Sequence, residues 1–401
     1  MYINQKNKKR TLNLFFYIFI LFGISITAID PLIPVISEQL NIGYDKIGIA
    51  LFIGSIFTLL ATIISGRLSD RFDIKKIVLY GLFLLFFGFL LFSIYLNYII
   101  FIIVIMLLRV GFGILDTSIH SFSSKLFRDN ISNVFINLDM FWFTGAVIGP
   151  LLISGTLFLD IKPTYVFLLF SFAFAASIII FYKICPKKET KYIEPNEKSA
   201  QRNVFSSIKN PIVLLTSLIL FFYMGSIAGF SSWLTTYFLA FGVRVALGSA
   251  FLSLYWLFSI LGLLLINKIL KKTNEITLLF LGCLVGTACL SVFSFVPNIY
   301  IKIVFFSIQA IFFSGIFPLS TSIAVHESSK SSGTILGFVI AFVFSGSIVF
   351  QPVLGYVAEY LGKHFIAYVA LAIALIGLIF TFILLKVYSR KYKTNAKKVQ
   401  N

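Results

Sequence analysis

Twelve apolar runs, each of about 20 residues and so long enough to cross a bilayer, constrain this 401-residue chain more than any other feature. They lie near 12–36, 45–66, 76–96, 98–120, 134–158, 164–183, 211–240, 246–267, 276–296, 299–325, 333–358 and 364–386. In hydrocarbon every backbone polar group needs a partner within the protein, so runs of this length are expected to be helices. Composition agrees, with 59% of residues hydrophobic and 12% charged, because a soluble protein could not cover that much apolar surface. The 48 phenylalanines suit lipid-facing and interfacial positions. The expected fold is an all-α integral membrane protein of twelve transmembrane helices, with the lipid bilayer as its first partner.

The net charge of +18 raises the question of nucleic acid, and the placement of the charges answers it. With the N-terminus inside, 27 of the 33 Lys and Arg residues fall in segments on the same side as that terminus. Lys46, Lys162, Arg244, Lys302 and Lys363 fall in the opposite loops, and Arg109 falls inside a run. The asymmetry predicts a multi-pass protein of the cell membrane with both termini cytoplasmic. No nucleic-acid partner is expected, since the basic excess is a topology signal. The first run follows basic residues, as in a signal peptide, but it is long and lacks a small-residue cleavage site before Asp30 and Pro31, so it is expected to stay as the first helix.

Residues 184–210 form the longest polar stretch and divide the chain into a six-helix bundle at 1–183, a cytoplasmic linker, and a six-helix bundle at 211–401 with a basic tail. The halves carry traces of a repeat. Gly262, Lys271 and Lys272 echo Gly66, Lys75 and Lys76, and Pro150 and Pro352 each sit in a glycine-containing setting, with Gly145, Gly149 and Gly155 around the first and Gly346 and Gly355 around the second. Between the second and third runs, Gly66-Arg67-Leu68-Ser69-Asp70-Arg71-Phe72-Asp73-Ile74-Lys75-Lys76 packs six charges into a short loop. Gly-x-Leu-x-Asp-Arg with a basic pair resembles the signature of the major facilitator superfamily of transporters. The resemblance implies the major facilitator fold, with a substrate path between parallel halves, and a conformational gate at Gly66, Asp70 and Arg71. Asp70 is expected to latch onto the positive N-terminus of the eleventh helix near Gly333.

Charges inside spans are costly, roughly 2.5 to 3.5 kcal/mol on insertion scales, so Asp30, Arg109 and Asp116 form the functional shortlist, with His120 one turn beyond Asp116. Arg109 and Asp116 stand two turns apart on one helix face, which leaves open a purely structural pairing. Asp30 has no basic residue in its own span and is the freer titrating site. Straight helices would set Asp30 about 28 Å above the cytoplasmic end of the first run and Asp116 about 27 Å below the outer end of the fourth. Pro31 and Pro34 could kink the first helix and change that estimate.

A closer resemblance follows from Gly111-Phe112-Gly113-Ile114-Leu115-Asp116-Thr117, which is similar to the fourth-helix Gly-x-Gly-x-x-Glu-Thr of the fucose, galactose and gluconate proton symporters. Asp30-Pro31-Leu32-Ile33-Pro34 is similar to their first-helix Asp-x-Leu-Ile-Pro. Trp233-Leu234-x-x-Tyr237 and Gly315-Ile316-Phe317-Pro318 resemble their helices seven and ten. The resemblance implies substrate binding and proton coupling at Asp30 and Asp116. It departs at His120, where an asparagine is expected, and at Ser226-Ile227, which lacks the seventh-helix glutamate. Gly145-x-x-x-Gly149-Pro150 resembles a motif of proton-coupled drug antiporters, which makes export the alternative, although small residues also serve close helix packing.

Trp142, Tyr223, Trp233, Tyr237, Tyr255 and Trp256 are cavity-lining candidates, since each joins a flat apolar face to a polar tip suited to a sugar ring and its hydroxyls. Gln309 and Gln351 are intramembrane amides that need partners, and they are cavity-lining candidates that would take them from substrate. His326 and Glu327 read as solvated residues at a helix end. Cys185, Cys283 and Cys289 read as small packing residues, with no disulfide framework. The chain holds three histidines, His120, His326 and His364, spread far apart, so neither a metal site nor an enzyme is expected, and no cofactor is implied. The function expected is secondary active transport of a small polar organic solute, with a sugar among the solutes that fit, in symport with protons and by a monomer. A membrane sensor that binds without transporting is the remote alternative.

Overall fold

The computed structural model describes residues 5–94, 97–127, 131–185, 210–270, 272–327 and 332–400. Twelve helical segments among them are long and apolar enough to span a membrane: Lys8–Leu40, Tyr44–Ser69, Ile74–Ile94, Tyr98–Ser124, Val134–Phe158, Thr164–Ile184, Pro211–Leu239, Val245–Ile266, Glu275–Phe295, Ile299–His326, Gly337–Leu361 and Phe365–Lys391. They coincide with the twelve apolar runs to within a few residues. Two of them are interrupted. The first span breaks into a 3-10 turn at Asp30–Leu32 between helices Gln5–Thr27 and Ile33–Leu40, where Pro31 has no N–H to give and its ring crowds the preceding turn. The tenth breaks at Ser314 and Gly315, between Ile299–Phe313 and Ile316–His326.

The chain forms two compact units, one of Met1–Ile193, Ser232–Ser253 and Ala358–Tyr360, the other of Glu194–Ser231, Leu254–Val357 and Leu361–Asn401. In the first unit the second span packs on the fourth, the third on the fourth and sixth, and the first on the fifth. In the second unit the ninth span packs on the tenth and twelfth.

Glycines make the tightest of these contacts possible. A methyl on Gly145 of the fifth span would sit 2.2 Å from the carbonyl oxygen of Ile20, and one on Gly23 of the first span 2.2 Å from that of Trp142. Gly149 likewise faces the carbonyl of Ile24 at 2.3 Å. In the second unit a methyl on Gly346 of the eleventh span would meet the carbonyl oxygen of Phe221 at 2.1 Å, with Gly225 of the seventh span beside it. Gly145 and Gly149 near Pro150 and Gly346 near Pro352 thus do the same work, pressing the fifth span on the first and the eleventh on the seventh backbone to backbone, whereas Gly155 faces open space. The other echo is uneven. A methyl at Gly262 would lie 2.3 Å from the Ile311 carbonyl, whereas one at Gly66 would meet only the Thr117 methyl at an ordinary 3.6 Å.

Two lysines cap helix ends from neighbouring helices. Lys75 is buried, and its Nζ donates to the carbonyls of Tyr182 at 2.9 Å and Cys185 at 2.7 Å, at the C-terminus of the sixth span. Lys302 is no loop residue, although the division of basic residues between the two sides had counted it as one. It lies buried in the helix Ile299–Phe313, and its Nζ donates to the carbonyl of Phe293 at 2.6 Å near the C-terminus of the ninth span. Both cations face the negative end of a helix dipole and satisfy carbonyls that have no partner within their own helix.

Candidate functional site

Asp30 occupies the first turn of the 3-10 break, where a carboxylate can leave the helix axis, and the hydroxyl of Ser232 donates to its Oδ2 at 3.1 Å. Arg109 of the fourth span supplies the opposing charge and interacts electrostatically with Asp30. Its stem lies against Gly54 of the second span, where a methyl would come within 2.9 Å of the arginine Cγ. No basic residue shares a span with Asp30, as expected, and it is Arg109 of another span that acts on it electrostatically. The pairing of Arg109 with Asp116 is not formed. Two turns along one helix direct these side chains to different neighbours.

Asp116 belongs to a second cluster. The Nδ1 of His120 bonds to the Asp116 backbone carbonyl at 2.8 Å and lies 3.5 Å from its Oδ1, while Nε2 lies 3.8 Å from Oδ1 of Asp139 on the fifth span. A hydrogen bond to a carbonyl requires the proton on Nδ1, which leaves Nε2 as the nitrogen that can accept one. Phe19 and Phe135 approach the imidazole edge-on at 5.4 and 4.8 Å and fix its plane. The three polar side chains keep accessible surface, 37% for Asp116, 23% for His120 and 63% for Asp139. Asp139 had escaped the shortlist, although an acid inside the fifth apolar run was the signal for it. Ser232 carried no such signal, because nothing in a serine's local sequence marks it as facing a carboxylate on a distant span.

The aromatic and amide candidates divide between the units. In the first, Trp233 is fully buried with its ring 5.9 Å from and nearly perpendicular to Tyr44, and Tyr237 packs on Phe238 and Phe241. Trp142 lies in the fifth span with its ring against Phe143. In the second unit Tyr223 is buried against Phe313 at 4.1 Å, and Tyr255 stacks on Phe306 at 4.6 Å with Trp256 edge-on to it. Phe306, Gln309 and Phe313 recur at spacings of three and four, on one face of the tenth span. Gln309 thus lies between the two tyrosine contacts. The Tyr223 hydroxyl and Gln309 Oε1 have no hydrogen-bond partner among the described residues. Gln351 is buried on the eleventh span.

At the end of the first unit that carries Asp30, segments distant in sequence are tied together. Ser249 donates to the Pro150 carbonyl at 2.6 Å, the Tyr44 N–H donates to Glu359 Oε2 at 2.8 Å, and the Tyr360 hydroxyl donates to Asp45 Oδ2 at 3.3 Å. At the opposite, basic end, Gly66 lies within the helix Tyr44–Arg71. The side chains of Asp70 and Arg71, and that of Gly333's neighbourhood where the latch was expected, lie outside the described residues. Glu327 is not solvated as its position at a helix end had suggested. Its side chain is 2% exposed, held by Lys391 and by the amide of Asn210 at 3.3 Å. His326 does stay 72% exposed, 3.6 Å from Glu275.

Comparison with solved structures places this arrangement. A bacterial homologue of the human lysosomal transporter Spinster, inward-facing and unoccupied, is 14% identical with a TM-score of 0.80, covering 97% of this chain and 99% of its own. A variant of the nucleoside transporter NupG is 12% identical with a TM-score of 0.78, covering 94% and 99%. A variant of the E. coli fucose:proton symporter FucP is 15% identical with a TM-score of 0.64, covering 93% and 98%. At these identities the likeness shows the fold. No curated protein matches the sequence. Residues 15–332 match the Major Facilitator Superfamily, and with twelve spans of that fold the chain belongs to this superfamily of membrane transporters.

Proposed function

We propose that the protein carries a small polar organic solute across the cell membrane in symport with protons, by alternating access, with both termini cytoplasmic. The observation that carries the reading is the pair of acidic clusters in one unit, Asp30 with Arg109 and Ser232, and Asp116 with His120 and Asp139. An acid that exchanges between a proton and a cationic partner couples charge to conformation, since each protonation state favours a different arrangement of its neighbours. Within the second unit, the Tyr223, Tyr255 and Gln309 group offers flat faces and polar tips that suit a ring-shaped, hydroxyl-bearing solute. The names of two similar structures, a nucleoside transporter and a fucose symporter, denote solutes that contain a sugar ring, which favours that class.

Purified protein is first screened for thermal stabilisation by sugars, nucleosides, organic acids and cationic drugs, since a bound ligand raises apparent stability by mass action. Proteoliposomes with the stabilising solute then test coupling. A gradient of one pH unit sustains about tenfold accumulation in one-to-one symport. Asp116→Asn should abolish accumulation while solute exchange survives, and Asp30→Asn should weaken binding or coupling more than folding. Wild-type accumulation by both amide variants would overturn the reading.

A further inference from the structure

A groove of about 610 Å³ opens on the surface of the first unit between the third and sixth spans, at the basic end. Tyr80 and Phe83 of the third span and Ile179 and Tyr182 of the sixth form its apolar walls, and Lys76 and Lys183 stand at its mouth. Tyr80 is 68% and Tyr182 59% exposed, as side chains in contact with lipid would be. Lys76 is the third residue of its helix and Lys183 the last but one of its own, so the two exposed lysines sit at the same end of the groove. From Lys76 to Phe83 the helix descends about 10 Å, the depth of the upper acyl chains.

We propose that this groove binds an anionic phospholipid of the leaflet beside the basic loops, the inner one in the orientation proposed above. The apolar walls take acyl chain, the tyrosines lie at the interface, and the lysine pair takes the phosphate as point charges. Charge complementarity selects an anionic headgroup over a zwitterionic one. Asp73, three residues before Lys76, is engaged through Oδ1 by the backbone N–H of Lys75. Lys75 itself is turned inward onto the Tyr182 and Cys185 carbonyls. That cap clamps the third span to the sixth and so holds the two mouth lysines at a fixed spacing.

The test is native mass spectrometry of the full chain extracted from vesicles of equal phosphatidylglycerol and phosphatidylcholine. Wild type should retain phosphatidylglycerol preferentially, and Lys76→Gln with Lys183→Gln should lose roughly tenfold or more of that preference while melting as wild type in phosphatidylcholine alone. Lys76→Arg with Lys183→Arg should keep it. Ile179→Trp, which fills the groove and spares both charges, should lower retention as well. Lys46→Gln with Lys162→Gln, at the far end, should leave it unchanged. No preference in wild type, undiminished preference in the Lys76 and Lys183 glutamine variant, or an equal loss in the far-end variant would overturn the proposal.

Discussion

A single methyl group separates two kinds of glycine in this protein. Gly145→Ala would press a methyl to 2.2 Å from the Ile20 carbonyl, against backbone that cannot rotate away. The expected loss of stability is about 1–3 kcal/mol, seen as a lower melting temperature in detergent. Gly66→Ala meets only the Thr117 methyl at 3.6 Å and should stay within about 0.5 kcal/mol of wild type. A transport defect at that position would therefore report on gating rather than folding. Individual charges were unevenly legible. Asp30 and Asp116 stood out as acids within apolar runs. The choice of Arg109 between them depended on which helix faces which, and that follows from side-chain volumes such as the absence of one at Gly54.

Helix ends show how one element stabilises another. The sixth span ends at Ile184 with carbonyls that no residue of its own helix can satisfy, and Lys75 reaches across from the third span to two of them. Lys75→Met should cost about 1.5–3 kcal/mol, the usual worth of hydrogen bonds to a charged group, measured by thermal melting. Cys185 lies in the same contact. Burial pushes its thiol from the ordinary 9.0 up to about 12, Lys75 working against this and Asp73 with it. Between those two values the unfolded chain gives up a proton that the folded chain keeps, so stability from this group is full below pH 9 and falls as pH rises towards 12. Maleimide labelling of Cys185 in folded protein should accordingly stay slow from about pH 7 to 9, without the rise that an exposed thiol shows over that range. Fast labelling that climbs through that range would refute the buried, protonated thiol.

Across the whole molecule, the distribution of 27 of 33 basic residues to one side predicts that the linker and the C-terminal tail are cytoplasmic. Single cysteines at Asn196→Cys and Asn395→Cys should resist an impermeant reagent in intact cells and react after permeabilisation; efficient labelling of either from outside would reverse the orientation. The number and length of the spans were legible in the sequence because hydrocarbon thickness sets a minimum apolar length and admits no unpaired backbone. The all-helical class and the superfamily followed from those runs and the Gly66 to Lys76 motif, although the loop expected there is confined to Phe72 and Asp73 between two helices. The sequence alone did not determine partners between helices. Seen in one dimension, every apolar face suits lipid and protein equally well, so the pairing of Arg109 with Asp30, the entry of Asp139 beside His120 and the burial of Glu327 beneath Lys391 were decided by tertiary packing. In that packing, close backbone contacts at Gly23 and Gly145 set the spacing of helices, and the spacing determines which charges can meet.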